Sequence, residues 1–172
     1  TAVTLPKEGW MGWDARSGLR AATGRYVALI DGDEQVPADE VRVVYEVMSQ
    51  GGLDLVTTFR CERGDGLWRI FNSWAYNMVF RILFPGLNLR DVNSKPKIFT
   101  REFLDRLDLR SDDWFLDAEI CIQARRLGAR IRQVPTVFLR PTHRKSFVGP
   151  RAVVEFLWNL LRARFHEFRN RP

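Results

Sequence analysis

Cysteine is nearly absent. Cys61 and Cys121 are the only two in 172 residues, far apart and in no metal-ligand spacing. Neither a disulfide framework nor a cysteine-based metal site is therefore expected, and a reducing compartment suits the chain. His143, one of two histidines, reads as a loop residue rather than a ligand. No stretch reaches the roughly 18–20 uninterrupted apolar residues of a membrane span, no signal peptide opens the chain, and no repeat or low-complexity run is visible. What is present is an ordinary globular composition, 45% hydrophobic and 28% charged, with length for one domain and a real core.

The charge is unevenly placed. Residues 140–172 hold Arg140, Arg144, Lys145, Arg151, Arg162, Arg164, Arg169 and Arg171 against Glu155 and Glu167, an excess that accounts for the whole net charge of +6. A basic tail on a neutral body points to an anionic surface or ligand.

Along the chain, a short helix is expected over 13–23 and a strand over 26–30. Pro37 sits where a helix starts, Ala38 to Gln50 follow with Val41, Val44, Tyr45 and Met48 on one face, and Gly51-Gly52 ends it. A second strand spans Asp54–Phe59, then a loop rich in charge and Gly from Arg60 to Gly66. A long helix follows from about Leu67 to Phe84. A strand near Lys97–Thr100, a short helix to Leu107, a helix from about Phe115 to Leu127, a strand within 130–139 and a helix from about Ala152 to Phe168 complete the pattern. Strands alternating with helices argue a parallel α/β sheet. Four strands are few for such a layout, and doubly wound folds place a βαβ half before a ligand loop like the one described next. The chain, which opens on Thr1, is therefore expected to be the back two-thirds of a larger domain.

Asp31-Gly32-Asp33 closes the apolar run Tyr26-Val27-Ala28-Leu29-Ile30. Ligands of open α/β sheets bind outside the carboxyl ends of the strands, where this pair falls. Gly32 would let the chain turn so that both carboxylates converge on one hard cation, Mg²⁺ or Mn²⁺. The plainer alternative is a polar turn ending a strand. Arg69, Ser73 and Asn77 recur every four residues in an otherwise apolar helix and share one face, as a ligand stripe or a solvated one. Asp117 and Glu119 stand in the first turns of a helix, where acids also favour the macrodipole. In the final helix, Val154, Leu157, Trp158, Leu161, Phe165 and Phe168 share a face, with Glu155, Asn159, Arg162 and Arg169 on another, which suits a membrane interface or core packing.

The segment from Gly18 through Asp31-Gly-Asp33-Glu-Gln35-x-Pro37 resembles the central part of family 2 glycosyltransferases of GT-A fold, nearest the dolichyl- or polyprenyl-phosphate sugar transferases. In that branch the metal loop reads Asp-x-Asp-x-Gln, which Asp31, Asp33 and Gln35 match position for position. The resemblance covers roughly residues 9–149. It implies that Arg69 and Ser73 face donor and acceptor phosphates, with Arg60 matching a further Arg of the pattern. It implies an acceptor-side acid, assigned first to Asp117 and second to Glu119. Arg140-Pro-Thr-His-Arg144-Lys145-Ser146 resembles the Arg-x-x-Gly-x-Ser loop over the active site, with the Gly replaced. Gln123-Ala-Arg-Arg126-Leu127 lacks the Trp of the Gln-x-x-Arg-Trp signature of processive polysaccharide synthases, which favours a single sugar transfer over polymer synthesis.

The expectation is an α/β protein of GT-A fold, a mostly parallel sheet flanked by helices and incomplete at its N-terminus. Residues 1–150 would form the partial transferase domain and 151–172 a basic amphipathic helix. The implied reaction moves one sugar, with inversion, from a nucleotide-diphosphate sugar to a polyprenyl-type phosphate, with Mg²⁺ or Mn²⁺ held by Asp31, Asp33 and Gln35. Trp158, Phe165 and Phe168 would touch the cytoplasmic face of a membrane, with the protein cytoplasmic and peripheral. Two alternatives stay open: a sugar-hydroxyl acceptor, and a non-catalytic module that binds anionic membranes. Nucleic acid is not expected, since no motif interleaves aromatics with base-reading polar residues.

Overall fold

A computed structural model describes residues 2, 4–63, 67–139 and 150–169. In chain order the elements are α1 (Met11–Ala21), β1 (Tyr26–Leu29), α2 (Ala38–Ser49), β2 (Leu55–Arg63), α3 (Leu67–Leu83), β3 (Lys97–Thr100), α4 (Arg101–Leu104), α5 (Leu116–Arg126), β4 (Ile131–Phe138) and α6 (Pro150–Arg169). Helices and strands thus alternate as the apolar periodicities predict. Boundaries differ most at β2, which runs through residues expected to be loop. Its partner explains this: β2 pairs parallel with β4 from Leu55↔Ile131 to Arg63↔Phe138, and a register shift between Arg60 and Glu62 lets the ladder continue.

Among the described residues the sheet has four strands in the order β1-β3-β2-β4. β1, β2 and β4 point the same way. β3 is antiparallel to both neighbours, with Leu29 opposite Lys97 and Val56 opposite Ile98. The chain therefore enters the middle of the sheet from the carboxyl end of β1, where Asp31 lies.

Successive residues of a strand face opposite sides of the sheet, and the core divides accordingly. Val56, Ile98 and Val134 pack under Val44 and Met48 of α2. Leu29, Leu55 and Phe99 face the other way, against Leu19 of α1, Phe103 of α4 and Leu116 and Ile120 of α5. A third cluster joins Tyr76 and Phe80 of α3, and Phe84 just after it, to Ala118, Cys121 and Ile122 of α5 and to Leu160 of α6. The parity that turns Phe99 toward α5 turns Lys97 the same way.

Gly12 fixes the approach to α5. A Cβ there would lie 2.3 Å from the Asp113 carbonyl oxygen and 2.6 Å from the Asp112 carbonyl carbon. The Trp13 amide donates to the Asp112 carbonyl at 3.3 Å, and Arg16 pairs with the Asp112 carboxylate. Asp113 in turn accepts from the Phe115 amide at 2.8 Å at the start of α5 and from Asn159 Nδ2 of α6 at 3.2 Å. Gly12→Ala is expected to force this backbone contact apart and to lower stability by about 1–3 kcal/mol. Urea denaturation should show a lower midpoint with an unchanged slope.

Candidate functional site

The loop after β1 makes its turn at a residue other than the expected one. Gly32 stays out of the left-handed region, and Glu34 takes it instead at φ 60°. A non-glycine residue in that conformation is uncommon and is held there by its surroundings. Those surroundings are visible: the Gln35 amide donates to Asp33 Oδ1 at 3.2 Å, and Gln35 Nε2 donates to the Leu139 carbonyl at 3.1 Å while the Leu139 amide returns a bond to the Gln35 carbonyl at 2.8 Å. The buried Gln35 thus ties the loop to the end of β4, one residue before Arg140. With its nitrogen committed to Leu139, the Gln35 amide oxygen is the hard donor it can offer. Two carboxylates and an amide oxygen fit Mg²⁺ or Mn²⁺ in type. Among the described residues no three His, Cys, Asp or Glu side chains cluster to hold a metal.

The charged centre of the site is Asp117. It is buried in the first turn of α5, and Lys95 Nζ donates to its Oδ2 at 2.9 Å while Lys97 Nζ donates to its Oδ1 at 2.6 Å. Lys95 also lies 3.1 Å from Asp31 Oδ1. Lys97 additionally donates to the carbonyls of Val92 and Ser94 at 3.0 and 2.8 Å. Two acids and two ammonium groups therefore form one neutral array, from the carboxyl end of β1, through the start of β3, to the start of α5. Burial on its own would raise the pKa of Asp117, but Lys95 and Lys97 outweigh it and hold the carboxyl below its ordinary value. Burial likewise opposes the charged form of Lys95, and Asp117 and Asp31 outweigh that too, raising its pKa. The neighbouring Tyr76 phenol is held protonated, first by burial and then by the Asp117 charge. Burial pushes the Cys121 thiol up to about 12.

The segment carrying these lysines is pinned on every side. Arg60 of β2 grips Asp91 with two bonds, Nε to Oδ2 at 2.7 Å and Nη2 to Oδ1 at 3.0 Å, and stacks over the Phe138 ring. Asn77 Oδ1 accepts from the Val92 amide at 2.8 Å, Thr58 Oγ1 and Ser94 Oγ share a bond of 2.7 Å, and Gln133 Nε2 donates to the Asp91 carbonyl at 2.9 Å. Asn77, read as part of a ligand or solvated stripe, is thus turned inward and buried. Ser73, one turn earlier and half-buried, offers its carbonyl and hydroxyl to Asn77 Nδ2 at 2.8 and 3.4 Å. Glu119 holds the loop before α5, its carboxylate accepting from the amides of Arg110 and Ser111 at 2.9–3.1 Å.

The structure thus joins Asp31 to Asp117 through Lys95 and sets Asp33 and Gln35 in the same loop as Asp31. Arg140, Arg144, Lys145 and Ser146 lie outside the described residues, and the side chains of Arg69 and Phe168 lie outside them too. Lys95 and Lys97 are the site residues that sequence reasoning missed. The signal was two lysines flanking Pro96 at the mouth of the apolar strand Ile98-Phe99, where parity buries at least one of them. A lysine is rarely buried without a partner.

On the outer surface, α6 packs against α3 through Leu160. Trp158, Leu161 and Phe165 of α6 are exposed, as are Phe71, Trp74 and Ile82 of α3. No helix among the described residues is long and apolar enough to cross a membrane.

The family model for glycosyl transferase family 2 matches residues 3–108. A dodecaprenyl-phosphate galacturonate synthase of Rhizobium johnstonii is 29% identical over 99 residues, 56% of this chain and 29% of that protein. Among solved structures, glucosyl-3-phosphoglycerate synthase of Mycobacterium tuberculosis in complex with phosphoglyceric acid superposes with a TM-score of 0.71 at 24% identity, covering 93% of this chain and 56% of that one. A second structure of the M. tuberculosis enzyme gives 0.67 at 20% identity, covering 93% and 57%. These structures share the fold. The chain spans just over half their length and under a third of the curated relative.

Asp117 contributes stability that is present above the ordinary carboxylate pKa of about 4 and lost as pH falls through its lower folded value. Asp117→Asn, which leaves two buried ammonium groups short of their counter-charge, is expected to cost about 3–5 kcal/mol at pH 7. The gap to the unaltered protein should start to shrink below about pH 4, where Asp117 of the unfolded chain takes up its proton, and close as pH falls through the lower folded value. Urea titrations at pH 7 and pH 3 measure it.

Proposed function

The chain belongs to glycosyl transferase family 2 and has the GT-A fold, and from that premise we propose that it carries the donor and acceptor centre of an inverting transferase that moves one sugar from a nucleotide-diphosphate sugar to a polyprenyl-type phosphate. In this reaction an acceptor phosphate oxygen bonds to the anomeric carbon while the bond from that carbon to the nucleotide diphosphate breaks, and the nucleoside diphosphate leaves with the electron pair. Asp31, Asp33 and Gln35 would hold Mg²⁺ or Mn²⁺, which when bound supplies Lewis-acid neutralisation of the leaving diphosphate.

One observation carries the choice of acceptor. Asp117 is ion-paired at both oxygens, at 2.9 and 2.6 Å, which makes it a weak base. A sugar hydroxyl would need a competent general base, whereas a phosphate is already ionised near neutral pH and needs only to be oriented. The array of Asp117, Lys95 and Lys97 suits orientation. The name of the Rhizobium johnstonii relative, with its dodecaprenyl phosphate, supports the same class of acceptor. Arg69, Ser73, Arg140, Arg144, Lys145 and Ser146 would supply charge-assisted and hydroxyl contacts to donor and acceptor phosphates. A lipid acceptor brings the protein to a membrane surface as a peripheral component. The excess of basic residues over 140–172 and the exposed Trp158 and Phe165 support such a contact.

Two measurements test this reading. In calorimetry with nucleoside diphosphates and Mn²⁺, Asp31→Asn and Asp33→Asn are expected to abolish cation-dependent binding while circular dichroism stays unchanged, because Lys95 and Lys97 keep Asp117 as counter-charge, Asp31 is the outer, part-exposed member of the array and Asp33 accepts a single loop amide. Unchanged affinity in both variants would remove these residues from the donor site. In sedimentation with vesicles, binding should require anionic lipid and weaken with salt, at about 1 kcal/mol per well-placed basic residue. It should fall in the Trp158→Ser/Phe165→Ser double variant, which should stay folded because both side chains lie outside the core. Equal binding to neutral and anionic vesicles would leave the basic segment without a membrane role.

A further inference from the structure

The ammonium group of Lys95 faces both oxygens of Asp31, 3.1 Å from Oδ1 and 3.3 Å from Oδ2. Asp31 is the outer member of the array, its side chain 37% exposed, whereas Lys95 is 5% exposed. Lys95 has no room to swing away: Asp117 Oδ2 holds it at 2.9 Å from the inner side, and Asp117 is itself fixed by Lys97. A divalent cation approaching Asp31 therefore meets a carboxylate whose lone pairs already serve a buried, immobile positive charge.

Resting on the assignment of Asp31 and Asp33 as the cation loop, we propose that Lys95 is a positioning residue that competes with the divalent cation for Asp31 and sets a deliberately low affinity for the bare ion. An ammonium group and a hard dication seek the same oxygens, and two cations a few ångströms apart repel. Lys95 holds the Asp31 carboxylate in place before any ion arrives. The repulsion is relieved when the ion comes with an anionic diphosphate, so cation and donor enter as a pair. The site thereby discriminates against free divalent cations, which would otherwise fill the loop without substrate. No other described side chain joins the donor-side acid to the acceptor-side acid.

The test is direct titration of Mn²⁺ alone, followed by electron paramagnetic resonance of the free ion, with the unaltered chain and with Lys95→Met, Lys95→Gln and Lys95→Arg. Lys95→Met and Lys95→Gln are expected to bind Mn²⁺ more tightly, on the order of tenfold, because the competing charge is gone. Lys95→Arg keeps the charge and should stay near the unaltered affinity. Lys95→Gln retains a hydrogen-bond donor between the two acids and serves if Lys95→Met does not fold, which circular dichroism decides. Asp31→Asn in the same titration locates the binding. Equal or weaker affinity in folded Lys95→Gln, with binding still lost in Asp31→Asn, overturns the competition and leaves the cation loop standing. Absence of any Asp31-dependent Mn²⁺ binding in every variant overturns both.

Discussion

Two lysine ammonium groups buried at the entrance to the central strand must find counter-charge, and Asp117 supplies it. Removing an ammonium and a carboxylate from water costs several kcal/mol each, so such groups persist only where geometry and further hydrogen bonds repay the loss. Here the repayment is visible in short contacts from Lys95 and Lys97 to both oxygens of Asp117, and from Lys97 to two backbone carbonyls. The array constrains everything around it. It sets the depth of α5 relative to β3, brings the loop after β1 against the segment before β3, and so places Asp31 and Asp117 in one electrostatic unit.

Other polar contacts serve the same arrangement. Arg60, Asn77, Thr58 and Gln133 each clamp a different atom of the segment between α3 and β3. Gln35 fastens the Asp31–Asp33 loop to the end of β4, at the threshold of the basic segment beginning with Arg140. Gly12 lets α1 lie directly on the backbone before α5. The apolar clusters hold the layers together, while these bonds determine which polar atoms face one another. These bonds fix the positions of the charged groups, and small displacements of reacting groups are costly in any active site.

The outer surface has a different character. α3 and α6 bury one apolar side against α5 and turn a second, aromatic one outward through Phe71, Trp74, Trp158 and Phe165. In the final helix Leu160 packs in the core, whereas Trp158, Leu161 and Phe165, on the face open to core packing or a membrane interface, are exposed. Exposed aromatic side chains flanked by basic residues are what a bilayer interface or a partner would cover.

Much of the architecture was legible in the chain, because helix and strand periods, Pro37 and the Gly51-Gly52 stop are local signals. The place of the Asp31–Asp33 loop was legible too, since Asp and Gly after a short apolar run mark the end of a strand. The turn at Glu34 was not, for glycine is the expected left-handed residue and only the bonds of Gln35 to Leu139 and Asp33 explain the departure. The direction of β3 was not legible either. A strand's four residues carry no mark of polarity, yet the antiparallel entry is what puts Lys97 opposite Leu29 and Lys95 against Asp31. Run parallel, β3 would carry its lysines to the far end of the sheet. The amino-acid sequence by itself determined which residues could carry charge chemistry and which elements bore them. Tertiary structure alone decided that Asp31, Lys95, Asp117 and Lys97 share one array, because pairing between residues 64 and 22 positions apart follows from strand order and direction rather than from any local pattern.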